Sequence, residues 1–215
     1  MATKKISLAL FCSLFFSVSF SQRFITIDSA GLELRKFYLS QHVDSLWITG
    51  HNVNWETGKP DDSSGKIDLG SHCSAFVAGV CKKKNIYILR PPAHDTELLA
   101  NAQFTWLHSL EAADLGWHEI NANCMETAQR LADSGLIVVA VYKNPNPKWS
   151  GHIAFVMPTE ITTDSIKAIG PRMIQAGKTN SENISLRRGF GRHLKNWPPS
   201  TKDISFFFYD IRKNH

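Results

Sequence analysis

The sequence lacks the features that mark several common protein classes. It has no run of lysine and arginine interleaved with aromatic residues and no Gly-rich phosphate loop, so neither nucleic-acid binding nor nucleotide binding is indicated. Cys-x-x-Cys and His-Glu-x-x-His spacings are missing, and so is a Gly-x-Ser-x-Gly motif, which argues against common zinc sites and a serine hydrolase. Internal repeats and long low-complexity linkers are also absent.

Cysteine is scarce, with four residues in the chain, one of them at position 12. Removal of a leader would leave Cys73, Cys81 and Cys124. An odd number in an exported protein leaves at least one thiol free. If Cys81 and Cys124 pair, Cys73 is the free one; the sequence leaves this pairing open.

The chain has 215 residues, of which 43% are apolar, so one domain with a proper core is expected. We predict a single domain over residues 22–215, with an N-terminal helix and cleft-lining loop at 22–69 and a catalytic core at 70–215. The formal net charge is +5, but two positive charges lie in the predicted leader. The remaining mild basicity suits contact with an anionic polymer but is too weak to indicate nucleic acid.

Residues 1–21 have the pattern of a secretory signal peptide. Lys4 and Lys5 are followed by an apolar stretch at 6–20 that is too short for a membrane span, and Ser19 and Ser21 suit a cleavage site before Gln22. The alternative is an N-terminal hydrophobic strand. We expect an exported protein, periplasmic or extracellular, with no stable membrane span after cleavage. The residue before Cys12 is not small, so a lipid anchor is not indicated.

The segment around Cys73 gives the clearest structural signal. Positions 73, 76, 77, 80 and 81 share one face of a helix, for which Ser71 is a plausible N-cap. This pattern places Cys73 in the first turn of a buried helix. Other helices are predicted at 31–39, 96–108, 124–132 and 185–194, and strands at 86–89, 136–142, 152–157, 172–176 and 204–211. Helices followed by strands predict an α+β fold with a mostly antiparallel sheet.

Cys73 and His152 form a chemically sensible pair. The thiolate is the working nucleophile, and a free cysteine has a pKa of about 8.5, so it needs help near neutral pH. A helix N-terminus and a nearby imidazole supply that help. Either residue alone is more often structural, but Gly151 before His152 permits close approach, and the order along the chain favours a catalytic pair.

Three short segments resemble the NlpC-type and CHAP-type peptidoglycan hydrolases. GSHCSAFV at 70–77 resembles their nucleophile helix, and SGHIAFV at 150–156 resembles their histidine strand. RMIQA at 172–176 resembles the next strand, which carries the polar third member of the triad, here Gln175. The resemblance covers roughly residues 70–180. Many members have Asp where this chain has His72, and often His where it has Gln175.

The resemblance implies a papain-like fold in which the nucleophile helix packs on the sheet. It also implies hydrolysis of an amide bond in cell-wall peptide through a thioester, with no cofactor or metal. Cys73 would attack, His152 would shuttle the proton, and Gln175 would orient the imidazole, with Asn180 as its rival. The sequence leaves open which amide bond is cut and what the oligomeric state is. It also leaves open whether the protein remodels the wall of its own cell or attacks that of a competitor.

Four residues upstream of or beside the nucleophile are candidates for substrate binding: Trp47, Asn54, Trp55 and His72. The alternative for the two tryptophans is packing under a long loop. A catalytically idle wall-binding or interaction module on the same fold is the main functional alternative. An acyl or amide transferase acting on a non-wall substrate is another.

Overall fold

The computed structural model describes residues 24–61, 70–200 and 203–210, and the predicted leader lies outside them. These residues form an α+β fold. The helices are α1 (Ser29–Leu39), α2 (Cys73–Lys83), α3 (Leu99–Leu107), α4 (Leu110–Asp114), α5 (Cys124–Asp133), α6 (Thr163–Ile169) and α7 (Leu186–Gly189). The strands are β1 (Phe24–Ile25), β2 (Trp117–Glu119), β3 (Ile137–Tyr142), β4 (His152–Val156), β5 (Ile161–Thr162), β6 (Arg172–Gln175), β7 (Ser181–Ser185) and β8 (Ser205–Tyr209).

Six strands form one sheet in the order β2-β8-β3-β4-β6-β7, and every neighbouring pair is antiparallel. The prediction of a mostly antiparallel sheet is therefore confirmed. Strands β3 and β4 form the centre of the sheet and are joined by the loop at residues 143–151. In this hairpin His152 lies opposite Tyr142, at the end of the ladder.

Helices cover both faces of the sheet, because successive side chains of β3 and β4 alternate between two apolar clusters. Val139 and Phe155 belong to the cluster that contains α2. Val138 and Val156 belong to the cluster that contains α5 and α7. Both central strands are thus buried on two sides, which explains their almost continuous apolar sequence.

Helix α2 is deeply embedded, since all nine residues from Cys73 to Cys81 are buried. Phe76 contacts Trp47 on one side and Phe155 of β4 on the other, with ring centroids 5.1 and 5.8 Å apart. Gly79 permits the close approach of the preceding loop, because a Cβ there would lie 2.7 Å from the Trp55 carbonyl oxygen. The chain before the helix therefore fixes where Cys73 lies.

Several predicted elements differ from the structure. Residues 86–89 form no strand, since the carbonyl groups of Ile86 and Tyr87 accept hydrogen bonds from side chains instead. The segment predicted as a helix at 185–194 contains only the single turn of α7, preceded by β7. Helix α3 begins at Leu99 rather than Thr96. Ser71 is not the N-cap of α2; that position is His72, without a side-chain capping bond.

The three cysteines in the described residues are all free. Cys81 is buried in the apolar cluster around α2, and Cys124 donates from its sulfur to the Ile120 carbonyl oxygen on the other side of the sheet. A Cys81–Cys124 disulfide is therefore not formed, because the two residues belong to different cores.

No helix in the described residues combines the length and apolar character needed to cross a membrane.

Candidate active site

Cys73 is the first residue of α2, where the unpaired backbone N–H groups of a helix point toward an anion. Its sulfur lies 4.0 Å from the Ser71 hydroxyl, which can donate to it. The backbone N–H of Ile153, on the adjacent strand β4, also donates to the sulfur. These two donors and the N-terminal end of the helix thus favour the thiolate over the thiol.

His152 is the first residue of β4, and the preceding residue, Gly151, determines how the chain enters this strand. A Cβ at Gly151 would overlap the carbonyl oxygen of Tyr142 and lie 2.6 Å from the Asn101 Oδ1 atom. Only glycine fits between these atoms, so the chain can turn into β4 directly beneath α3. This tight turn brings the His152 imidazole beside the Cys73 sulfur, so that each group stabilises the charged form of the other.

Gln175 completes a chain of three side chains. Its Oε1 atom lies 2.9 Å from the Nε2 atom of His152, which leaves the other imidazole nitrogen for Cys73. The Gln175 Nε2 atom donates to the Thr179 carbonyl oxygen at 3.1 Å, which fixes the orientation of the amide. Gly177 and Gly189 flank the amide closely, since a Cβ at either would lie within 2.9 Å of it.

The predicted rival Asn180 serves another purpose. Its Oδ1 atom accepts from the Gly177 backbone N–H, and its Nδ2 atom donates to the carbonyl oxygens of Val43 and Leu46. These bonds tie the turn after β6 to the segment that follows α1. The geometry therefore brings Gln175, rather than Asn180, to the imidazole.

The electrostatics of the pair favour charge separation. Burial raises the pKa of the Cys73 thiol, but the attraction of the His152 imidazolium and the hydrogen bonds to the sulfur outweigh burial and leave that pKa below its ordinary value. Burial lowers the pKa of His152, but the Cys73 thiolate and Gln175 outweigh it and raise that pKa. The two shifts point to a thiolate–imidazolium pair.

Two further rings surround the imidazole. Phe190 contacts it edge-on at a centroid distance of 4.6 Å, and His193 stacks beside it at 5.7 Å. Burial, together with the charges of His152 and Arg192, lowers the pKa of His193 to about 4. His193 is therefore neutral near pH 7 and adds no repulsion to the imidazolium.

The four residues proposed for substrate binding lie elsewhere. Trp47 is completely buried, and its indole N–H donates to the Trp55 carbonyl oxygen. The Asn54 side chain accepts from backbone N–H groups of its own turn, and Trp55 is partly buried against the α2 cluster. His72 is buried with its Nε2 atom 2.9 Å from the His51 carbonyl oxygen. These residues pack the chain in front of α2.

An open cleft of about 620 Å³ reaches the site. His152 and Gln175 lie on its wall, and Cys73, 2% exposed, lies behind Ser71 and His152. The remaining wall comes from Thr49, Gly70 and Ser71 and from residues within three segments, 144–151, 178–179 and 184–193. Lys148 and Trp149 were not among the predicted site residues; their position a few residues before His152 is the sequence signal that could have identified them.

Metal ligation finds no support in the described residues, where no group of three or more His, Cys, Asp or Glu side chains could hold an ion.

No protein-family model matches the chain, and no curated protein matches its sequence.

Proposed function

We propose that the chain is a papain-like cysteine hydrolase that cuts an amide bond in cell-wall peptide. The observation that carries the proposal is the series Cys73–His152–Gln175 beside a cleft, in which the imidazole interacts with the Cys73 sulfur and hydrogen-bonds to the Gln175 amide oxygen. A nucleophile, a base and a group that orients the base occur here in the order that acyl transfer requires.

The reaction follows from the placement of these groups. The Cys73 thiolate attacks the amide carbonyl carbon, and the backbone N–H of Cys73 at the start of α2 stabilises the developing oxyanion. The His152 imidazolium then gives its proton to the departing amine, leaving a thioester on the sulfur. Water, deprotonated by the neutral imidazole, hydrolyses the thioester and restores the thiolate.

Purified peptidoglycan is the substrate for the test. The wild-type protein should release peptide fragments whose masses identify the amide that is cut, and each cut should create one new amine and one new carboxylate. Cys73→Ala is the matched control. Intact peptidoglycan after long incubation with the wild-type protein would contradict the wall substrate.

The idle binding module is the second candidate, and the 2% exposure of Cys73 is the observation that favours it. A substrate must reach the sulfur past Ser71 and His152. A thiol probe separates the two candidates: an active Cys73 should be alkylated near neutral pH faster than a model thiol, whereas an idle, shielded one should not.

Export is part of the proposal and depends on the leader at residues 1–21. N-terminal sequencing of protein recovered from the periplasm or culture medium should begin at Gln22. Recovery of an uncleaved chain from the cytoplasm alone would contradict it.

A further inference from the structure

The wall of the cleft is strongly basic. Four exposed cationic side chains line it: Lys148, Lys178, Arg188 and Arg192. No aspartate or glutamate from the described residues lines the same cleft. Concave surfaces with charges of one sign concentrate ligands of the opposite sign.

These cations come from the same segments that hold the catalytic side chains. Lys148 is in the loop that leads to His152, and Lys178 is in the turn after Gln175. Arg188 precedes Gly189, where a Cβ would lie 2.7 Å from the Gln175 Oε1 atom. The positive charges are therefore fixed next to the reacting groups rather than spread over the surface.

The two arginines have no partner in the described part of the chain. The Arg188 and Arg192 guanidinium groups make no hydrogen bond or ion pair there, whereas neighbouring Arg187 donates to the Ala168 carbonyl oxygen and lies over the Trp197 ring. A guanidinium has five donors in a rigid fork that matches a carboxylate. Because the Arg188 and Arg192 guanidinium groups are unpaired and line the same cleft, their N–H donors are free to bind a ligand.

We infer that the cleft selects substrates with a free carboxylate beside the amide that is cut, and that Arg188 and Arg192 bind this carboxylate. The inference rests on the proposed function for the identity of the reaction but not for the charge preference. The proposed substrate is a peptide, and carboxylate is the anion that peptides carry. Lys148 and Lys178 add attraction at longer range.

Alkylation of Cys73 measures the charge preference directly. Iodoacetate and iodoacetamide are similar in size and react with the same thiolate, but only the first is anionic. The ratio of their rates at Cys73, followed on the peptide that contains it by mass spectrometry, should exceed the ratio for N-acetylcysteine. Cys124 serves as an internal reference outside the cleft.

Arg188→Gln and Arg192→Gln should each lower this ratio roughly two- to fivefold, the range expected for one exposed charge pair. Arg187→Gln is the matched control, since it removes the same charge one residue away but outside the cleft, and it should leave the ratio unchanged. Added salt should reduce the wild-type preference. Equal ratios in wild type, R188Q and R192Q would overturn the inference.

Binding to the Cys73→Ala variant gives a measurement that does not need a reactive thiol. Soluble wall peptides are compared, by calorimetry, with the same peptides after their carboxyl groups have been converted to amides. The acidic form should bind more tightly, and R188Q should reduce the difference. Equal affinity for both forms would overturn the inference.

Failure of the inference and failure of the proposed function give different results. A Cys73 that neither reagent modifies, together with tighter binding of the acidic peptides, would contradict the hydrolase and support the carboxylate site. Digestion of native and amidated peptidoglycan at one rate, with no difference in R188Q, would support the hydrolase and contradict the carboxylate site. Preference for a free phosphate or a polynucleotide over acidic peptides would also contradict it.

Discussion

The proposed chemistry depends on the thiol group of Cys73. Replacement by alanine should abolish peptidoglycan cleavage, because no other group in the site can form the acyl intermediate. The fold should survive with a change in stability of about 1 kcal/mol, since alanine suits a helix and the side chain removed is small. Turbidity clearing and thermal unfolding test the two statements. Wild-type clearing by Cys73→Ala would end the hydrolase proposal.

The pH dependence of Cys73 reactivity follows from the pKa shifts of the pair. Because the pKa of Cys73 is below its ordinary value, the wild-type thiol should be alkylated faster near neutral pH than a model thiol. In His152→Ala burial acts without the imidazolium, so the thiolate should form only at higher pH. Turnover should fall roughly 10²–10⁴-fold. An unchanged rate profile of iodoacetamide alkylation would show that His152 is not the partner.

Gln175 acts through His152, so its loss should be milder. Gln175→Ala should slow turnover roughly ten- to hundredfold, as for other partners that orient a functional histidine. Gln175→Glu should keep more activity than Gln175→Ala. It should also shift the upper limb of the pH–rate profile to higher pH, because a carboxylate stabilises the imidazolium. Asn180→Ala, which breaks bonds to Val43 and Leu46, is the control: it should lower thermal stability without moving that limb.

The proximity of Cys73, His152 and Gln175 could be predicted because chemistry and chain order restrict the candidates. A cysteine at a helix start, a histidine after glycine and a polar residue on the next strand are each visible in the sequence. Sequence reasoning could not choose firmly between Gln175 and Asn180, since that choice depends on the bond from Asn180 to the distant residues Val43 and Leu46. The basic residues of the cleft also escaped it, because three separate segments supply them.

At the level of elements, the loop between β3 and β4 is the part that places His152. Asn101 of α3 holds this loop at both ends: its Oδ1 atom accepts from the Asn144 backbone N–H, and its Nδ2 atom donates to the Trp149 carbonyl oxygen, both at 2.9 Å. The side chain is buried, so no solvent replaces these bonds readily. Asn101 is therefore a positioning residue for the catalytic histidine.

Asn101→Ala should lower turnover about tenfold, because each lost hydrogen bond is worth about 1 kcal/mol and small displacements of a catalytic group are costly. Asn101→Asp should be worse, since an acceptor would face the Trp149 carbonyl oxygen. Thr105→Ala, on the same helix, is the matched control: it removes the hydroxyl bonds to Lys143 and to the Asn101 backbone carbonyl oxygen but leaves both bonds of the Asn101 side chain intact, so it should stay near wild type. The readout is turnover together with the pH profile of Cys73 alkylation; an unchanged profile in both Asn101 variants would contradict the positioning role.

Strong apolar runs explain which elements the sequence predicted well. Strands β3 and β4 begin and end within one residue of their predicted limits, because both faces of each strand are buried. The short strands β1, β2, β5 and β7 were missed, and most of the region of β7 and α7 was predicted as a helix at 185–194. Such elements depend on partners far away in the chain, as when Trp117 of β2 pairs with Tyr209 of β8, and local propensity does not reveal them.

At the scale of the whole molecule, Asp133 joins segments that are distant in sequence. Its backbone carbonyl oxygen accepts from the Asp28 N–H that precedes α1. Its Oδ1 atom accepts from Gln129 and from the backbone N–H of Thr159, while the Oδ2 atom is buried without a hydrogen-bond partner in the described structure. Burial, opposed by these donors, raises the pKa of Asp133 to about 7.

This raised pKa makes the stability of the fold depend on pH. The folded state holds the Asp133 proton more tightly than the unfolded chain, whose carboxyl group titrates near 3.8. The contribution of this proton to the free energy of unfolding is therefore complete below about pH 4 and is lost as the pH rises through about 7.

Asp133→Asn mimics the protonated acid and cannot ionise. Its Tm relative to wild type should therefore increase from pH 5 to pH 8, by roughly 5–10 °C for a chain of this size. Asp44→Asn, an exposed site with the same change of charge, is the control and should show no such trend. Parallel Tm profiles for wild type and Asp133→Asn would mean that Asp133 is already ionised at pH 5 and that its unpaired oxygen is solvated.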